Sequence, residues 1–216
     1  LYQIHWSVNV NDIEEIEKEL NSYIQNGKIR NKGVCNFGTE ALAECDDMIS
    51  NQVPYNLLWR PIEYDILPYC KKNDIAILAY STLQQGILTG KFCNPSFNIN
   101  IIPESRLRTR HFHHSRTELS RHNTNGVEDV LTQTMNNLMT LPDNLTKISL
   151  QWLLNQGVKS VIVGANTPDQ IDNIMNNINH SIQDNTIFNR ASIFTNDLKT
   201  SLGSNPDMWA QQSRYS

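Results

Sequence analysis

The sequence predicts a parallel α/β fold, and three observations predict it. The hydrophobic period switches repeatedly between about 2 and about 3.6, as alternating strands and helices require. The run "DIAILAYS" is almost continuously apolar, as in strands buried on both faces of a parallel sheet. No shift in composition along the 216 residues marks a second domain. Repeated βα units with buried strands build a parallel sheet that is either open or closed into a barrel.

The elements follow in order. "LYQIHW" reads as an opening strand, and "NDIEEIEKELNSYIQNGK" places Ile13, Ile16, Leu20 and Ile24 on one helical face. Asp12 suits the cap of that helix, and Gly27 with Lys28 its C-terminus. A short strand in "IRNKGVCNF" precedes a helix in "TEALAECDDMI", with Thr39 as its N-cap, and then a strand in "NQVPYN". "PIEYDILPYCKKN" opens on Pro61 as a helix start, with Pro68 marking a break or a second short turn. After "DIAILAYS", residues 82 to about 125 read as a long polar loop bearing Arg and His. Helices are expected over 126–141 and 144–156, then a last strand in "VKSVIVGA". "TPDQIDNIMNNI" forms a helix with Thr167 as cap and Pro168 in the first turn, and a final helix lies near 195–202.

Composition removes several function classes. A net charge of -4 gives no electrostatic footprint for nucleic acid or an anionic membrane surface. No apolar run approaches the ~20 residues that span a bilayer, and the first residues lack a signal-peptide pattern, so a cytoplasmic location is expected. Cys35, Cys45, Cys70 and Cys93 form no CxxC pair and read as free thiols of a reducing compartment. "HFHH", His111 to His114, matches no compact zinc spacing and reads as loop decoration, so no metal is expected.

No GxGxxG follows the first strand, which lowers the classical dinucleotide fold. In a βα barrel the residues ending each strand line the ligand site. Here these are His5, Cys35 with Asn36, Asn51 with Gln52, Tyr80 with Ser81, and Gly164. Singly each has an ordinary reading as a cap or a packed core residue. Together they supply an imidazole, carboxamides that can pair with another carboxamide, and a ring that can stack on a flat heterocycle. A nicotinamide requires those groups.

The segments "LYQIHW", "GKIRNKGVCNF", "NQVPYNLLWR", "ILAYSTLQQGILTGKF", "SRLRTRHF" and "VIVGANTPDQ" resemble, in order and spacing, the C-terminal two-thirds of an aldo-keto reductase. The pattern is most similar to bacterial-type members that also resemble potassium channel β-subunits. The resemblance implies a (β/α)8 TIM barrel, present as an incomplete barrel of strands 4 to 8 with their helices. It implies a single domain over 1–216 with its N-terminal portion missing. It also implies hydride transfer from NADP(H), with NAD(H) as the alternative, to an aldehyde or ketone.

Carried over residue by residue, His5 matches the histidine of the Asp-Tyr-Lys-His tetrad, which orients the substrate carbonyl. The tetrad's other three members have no counterpart in the 216 residues. Asn36 and Gln52 match the residues that bind the nicotinamide carboxamide, and Cys35 stands where serine is usual. Tyr80 matches the stacking aromatic. Ser81, Thr82, Leu83, Gln84, Gln85 and Lys91 match the loop around the pyrophosphate, and Arg106 a phosphate-binding arginine. Gly164, Asn166 and Gln170 match the segment holding the adenosine phosphate. Asn173 takes the first place of the adenine-contacting pair, while Ile174 departs from the second, which leaves the preference between NADPH and NADH open.

The expected partner is a small carbonyl substrate. An oligomer or a complementing N-terminal segment is expected to cover the open sheet edges. Two rival readings are a non-catalytic NADP(H)-binding regulatory subunit and a degenerate, truncated remnant.

Overall fold

A computed structural model describes residues 1–6, 10–102, 127–208 and 213–215. Five strands, β1 (Tyr2–Ile4), β2 (Lys32–Cys35), β3 (Ser50–Pro54), β4 (Ala76–Tyr80) and β5 (Ser160–Val161), form one sheet in the order β1-β2-β3-β4-β5. Every pairing is parallel. Each strand therefore lies beside its predecessor in sequence, and the order never reverses. That is the winding of a barrel wall; a doubly wound sheet has a switch point where the order turns back.

The helices are α1 (Val10–Gln25), α2 (Thr39–Ala43), α3 (Ile66–Lys72), α4 (Val127–Leu138), α5 (Leu145–Asn155), α6 (Pro168–Asn179), α7 (Thr186–Phe194) and α8 (Asn196–Leu202). None among the described residues is long and apolar enough to cross a membrane. One apolar cluster joins the sheet to α2, α3, α4, α5, α7 and α8 and contains Val34, Val53, Ile77, Trp59 and Trp152. The four cysteines are free.

Burial along β4 differs from the expectation of two covered faces. Ile77 and Ala79 are buried, while Ala76, Leu78 and Tyr80 alternate with them as half-buried residues. The strand packs one face on the apolar cluster, and from the other Tyr80 reaches Asn36 at the end of β2.

Local details refine the sequence reading. α1 buries Ile13 and Leu20 as its period predicts, but Glu17 lies with them on the buried seam. Its carboxylate accepts from Lys32 Nζ at 3.2 Å and from the Asp46 amide at 3.0 Å, so α1 is held to β2 through an ion pair rather than through apolar contact alone. Asp12 lies inside the first turn of α1 instead of capping it, and Gly27 turns the exit with φ 68°.

α2 is short, and Gly38 rather than Thr39 is its N-cap. The Pro61 segment is split into a 3-10 turn (Pro61–Glu63) and α3, whose N-cap is Asp65. Pro68 is the third residue of α3, where the missing N–H had no helical partner to lose. β5 is only two residues long, and the expected polar loop after β4 begins with a 3-10 segment, Gln84–Thr89. α7 was not expected. Its polar Asn-rich flank masks the periodicity, and packing of Ile187, Phe188 and Ala191 fixes the helix.

Gly33 in β2 is required by close approach. A Cβ there would overlap the Ser50 side chain on β3 and sit 3.0 Å from the Ser50 carbonyl oxygen. Gly33→Ala is expected to cost about 1–3 kcal/mol through forced strand displacement. Ser50 Oγ is buried without a hydrogen-bond partner, so Ser50→Ala alone should be close to neutral. Combining the two should recover part of the loss. Urea unfolding of the three variants checks this, and additive losses would contradict the contact.

Candidate cofactor cleft at the strand ends

The cleft is made by two loops that leave neighbouring strands at the same end of the sheet. After β4 the backbone turns sharply, with left-handed φ at Ser81 (54°), Gln84 (45°) and Gln85 (53°). Three non-glycine residues in that region on one loop are costly, and such strain persists only where surrounding contacts over-determine it. Those contacts are present. Thr82 Oγ1 donates to the Ile162 carbonyl at the end of β5 at 2.9 Å. Asn56, fully buried, donates through Nδ2 to the Ser81 carbonyl at 2.9 Å and to Gln84 Oε1 at 2.7 Å. Its Oδ1 accepts from the Leu58 amide at 2.8 Å.

The opposite wall is the chain between β5 and α6. Thr167 caps α6 by accepting from the Gln170 amide, and Pro168 occupies the first turn. Gln170 Oε1 in turn accepts from the Asn166 amide at 2.7 Å, which fixes the loop entering the helix. Asn144 caps α5 through the Lys147 amide and, with Thr146, closes the base of the cleft.

The resulting space is about 640 Å³, within the size of small-molecule and cofactor sites. Its lining contains Ser81, Thr82, Leu83, Gln85 and Lys91 from one loop and Gly164, Asn166, Gln170 and Asn173 from the other. Gly86, Thr89, Asn144, Thr146, Ile162, Val163 and Ile174 complete it. No carboxylate lies among these described residues. Lys91 and the N-terminal ends of α5 and α6 give the cleft a positive bias, which favours an anionic ligand.

Gln84 departs from the expected set. Its side chain is fully buried, held by Asn56 Nδ2 and directed toward Met208 Sδ at 3.7 Å, so the cleft is lined by its neighbours instead. Arg106 and His111 to His114 lie outside the described residues.

A second cluster sits at the ends of β1 to β4, adjoining Ser81. Asn36, at the end of β2, has a left-handed φ of 61° and is 2% exposed. Its Nδ2 donates to the His5 carbonyl and to Cys35 Sγ, both at 3.3 Å. Its Oδ1 accepts from the Tyr80 hydroxyl at 2.9 Å and from the Tyr215 hydroxyl at 2.7 Å. Gln52 lies in register between Cys35 and Leu78, and its carbonyl accepts from the Asn36 amide at 2.9 Å. Asn51 faces the other way and grips the Phe37 backbone at both its amide and its carbonyl, a structural role rather than a site role.

The His5 ring is exposed just beyond β1 and meets the Trp6 ring edge-on at 6.3 Å. Burial pushes the Cys35 thiol up to about 11. It also pushes the Tyr80 phenol well above its usual range, although the neighbouring Tyr215 hydroxyl acts in the opposite direction. Both groups stay protonated at neutral pH.

Sequence reading missed Asn56 and Tyr215. Asn56 sits inside an apolar run with nothing local to mark it, and Tyr215 is 179 residues from its partner. Asn56→Ala would strip the bonds to Ser81, Gln84 and Leu58 inside the core. It is expected to cost about 2 kcal/mol or more, read by urea unfolding. A variant as stable as wild type would contradict the role given to Asn56.

Comparison with known proteins agrees with this geometry. The family model "Aldo/keto reductase family" matches residues 1–191. The chain is 40% identical over 94 residues to aldo-keto reductase YhdN of Bacillus subtilis, covering 42% of this chain and 28% of that protein. It is 29% identical over 196 residues to an NADH-specific methylglyoxal reductase of Escherichia coli, covering 87% of this chain and 57% of that protein. The structure of a glycerol dehydrogenase from Gluconobacter oxydans superimposes with a TM-score of 0.69 at 26% identity, covering 98% of this chain and 61% of that one. The chain thus spans less than two thirds of the length of these proteins. With its singly wound parallel sheet and the match over most of its residues, it belongs to the aldo/keto reductase family of oxidoreductases.

Proposed function

We propose that the chain is the cofactor-binding part of an NAD(P)H-dependent carbonyl reductase. The observation that carries this reading is the 640 Å³ cleft, which gathers residues from two loops about 80 positions apart into one positively biased channel. The residues fit a dinucleotide. Lys91 and the strained turn at Ser81–Gly86 suit the pyrophosphate, and Gly164, Asn166, Gln170 and Asn173 suit the adenosine end. The strand-end cluster of Cys35, Asn36, Gln52 and Tyr80 suits the nicotinamide. The bound cofactor would supply the hydride. His5 would orient the substrate carbonyl by a hydrogen bond from its ring.

The five strands correspond, on this reading, to the fourth to eighth strands of the family barrel. The aspartate, tyrosine and lysine of the tetrad fall outside the 216 residues. Support comes from the sequential strand order and from the share of the relatives that the chain covers. NADH is proposed as a cofactor beside NADPH, because the residues placed at the adenosine end are uncharged and one relative is NADH-specific. The substrate class is a small aldehyde or ketone, tested first with methylglyoxal, which that relative is named for.

The test is substitution of Lys91. Lys91→Ala should weaken NADH and NADPH binding by about tenfold, as loss of one charge-assisted bond to phosphate predicts, while leaving the melting temperature near that of wild type. Equal affinity in the variant would contradict the placement of the pyrophosphate. In parallel, aldehyde-dependent oxidation of NADH followed at 340 nm should be absent from the 216-residue chain. Turnover by this chain would contradict the proposed division of the tetrad.

A further inference from the structure

Asn36 has no hydrogen-bonding capacity left. A carboxamide offers two N–H donors and two acceptor lone pairs. Here the donors go to the His5 carbonyl and Cys35 Sγ, and both lone pairs on Oδ1 are taken by the phenols of Tyr80 and Tyr215. Three of those partners belong to strands or their ends. The fourth, Tyr215, comes from a short segment that lies across the site.

That segment is fastened by three contacts. The Arg214 guanidinium pairs with the buried Asp207 carboxylate at 2.6 and 3.0 Å and lies 4.1 Å above the Trp6 ring. The Tyr215 ring meets Trp6 edge-on at 5.6 Å. Arg214 itself is exposed, so the fastening is wet on one side, and Tyr215 is the one hold on Asn36 that lies outside the sheet and its strand ends.

We propose that Tyr215 is an affinity-setting strap residue, its hydroxyl competing with the nicotinamide carboxamide for Asn36 Oδ1. This rests on the cofactor reading above. An incoming carboxamide can be read by Asn36 only when one existing partner withdraws, and Tyr215 is the partner that can leave without breaking the sheet. The adenosine end of the cleft, lined by Asn166, Gln170 and Asn173, is remote in sequence and contact from the strap. Its affinity is therefore independent of Tyr215.

The experiment compares wild type with Tyr215→Phe and Tyr215→Ala by calorimetric titration, using NADH and, separately, ADP-ribose, which lacks the nicotinamide. The Phe variant keeps the ring on Trp6 and removes only the hydroxyl. NADH should bind it about three- to tenfold more tightly than wild type, the equivalent of one neutral hydrogen bond. ADP-ribose should bind all three proteins equally. Unchanged or weaker NADH binding by Tyr215→Phe, with ADP-ribose binding intact, overturns the strap alone. Failure of every protein to bind ADP-ribose overturns the cofactor reading and the strap with it. Tighter binding of both ligands also overturns the competition, since the effect would not be local to the nicotinamide.

Discussion

Glu63→Ala should destabilise the protein by about 3–5 kcal/mol, because it leaves Arg60 as a buried charge without its partner. Glu63 stands at the end of the 3-10 turn after β3 and collects three donors. Arg60 binds it twice, from Nε at 2.7 Å and from a terminal nitrogen at 2.8 Å. Lys199 of α8 donates at 2.8 Å and the Tyr55 hydroxyl at 2.8 Å. Arg60 continues to the Ser192 carbonyl and Thr195 Oγ1, both at 2.9 Å. The network therefore ties the segment after β3 to α7 and α8, elements more than 120 residues later.

The same group sets an acid limit. Burial alone would raise the Glu63 carboxyl, but the hydrogen bonds and charge of Arg60, with Lys199 and Tyr55, hold it below its ordinary 4.5. A carboxyl depressed on folding contributes stability that is fully present above the unfolded value and is lost as pH falls through the folded one. Unfolding free energy should therefore drop below pH 4.5 in the wild type. Glu63→Gln should show a lower plateau at neutral pH and a shallower acid decline. An identical decline in the two proteins would contradict this assignment.

Trp152→Ala is the second large effect, expected at about 3–5 kcal/mol. Trp152 of α5 is fully buried, with its ring 5.3 Å from Tyr55 and 5.5 Å from the Arg60 guanidinium. Its Nε1 donates to Ser192 Oγ at 2.8 Å. Truncation loses the ring contacts and opens a cavity beside the ion network. Because Trp152 and Glu63 share Arg60 and Tyr55, their losses should not add. A double-mutant cycle should give a coupling of about 0.5–3 kcal/mol. Strict additivity in urea unfolding would mean that the two residues act separately.

How far the fold was legible in the sequence follows from the range of the interactions. The Thr167–Pro168 start of α6 and the Gly27 exit of α1 are local patterns, and both were legible. Glu17 broke the apolar face of α1 because its partner, Lys32, lies on another element. The family resemblance places Gln84 in the cleft loop, whereas Asn56, 28 residues earlier, holds its side chain in the core. The β4 run could not show that only one of its faces is covered, since hydrophobicity does not report which neighbour a side chain meets. The cleft residues of the two loops were legible through family resemblance, and the structure brings them to one lining. Tyr215 was beyond any local pattern, because its role exists only once residues 36, 80 and 215 have been brought together.

The central claim is that the cleft between the β4 and β5 loops holds a nicotinamide dinucleotide. The most direct measurement is hydrogen exchange of the chain with and without saturating NADH or NADPH. Amides at 81–91 and 164–173 should slow together on binding, while those of α1, which is held to β2 and contributes nothing to the cleft lining, stay unchanged. Protection elsewhere, or no protection at these two loops, would contradict the account.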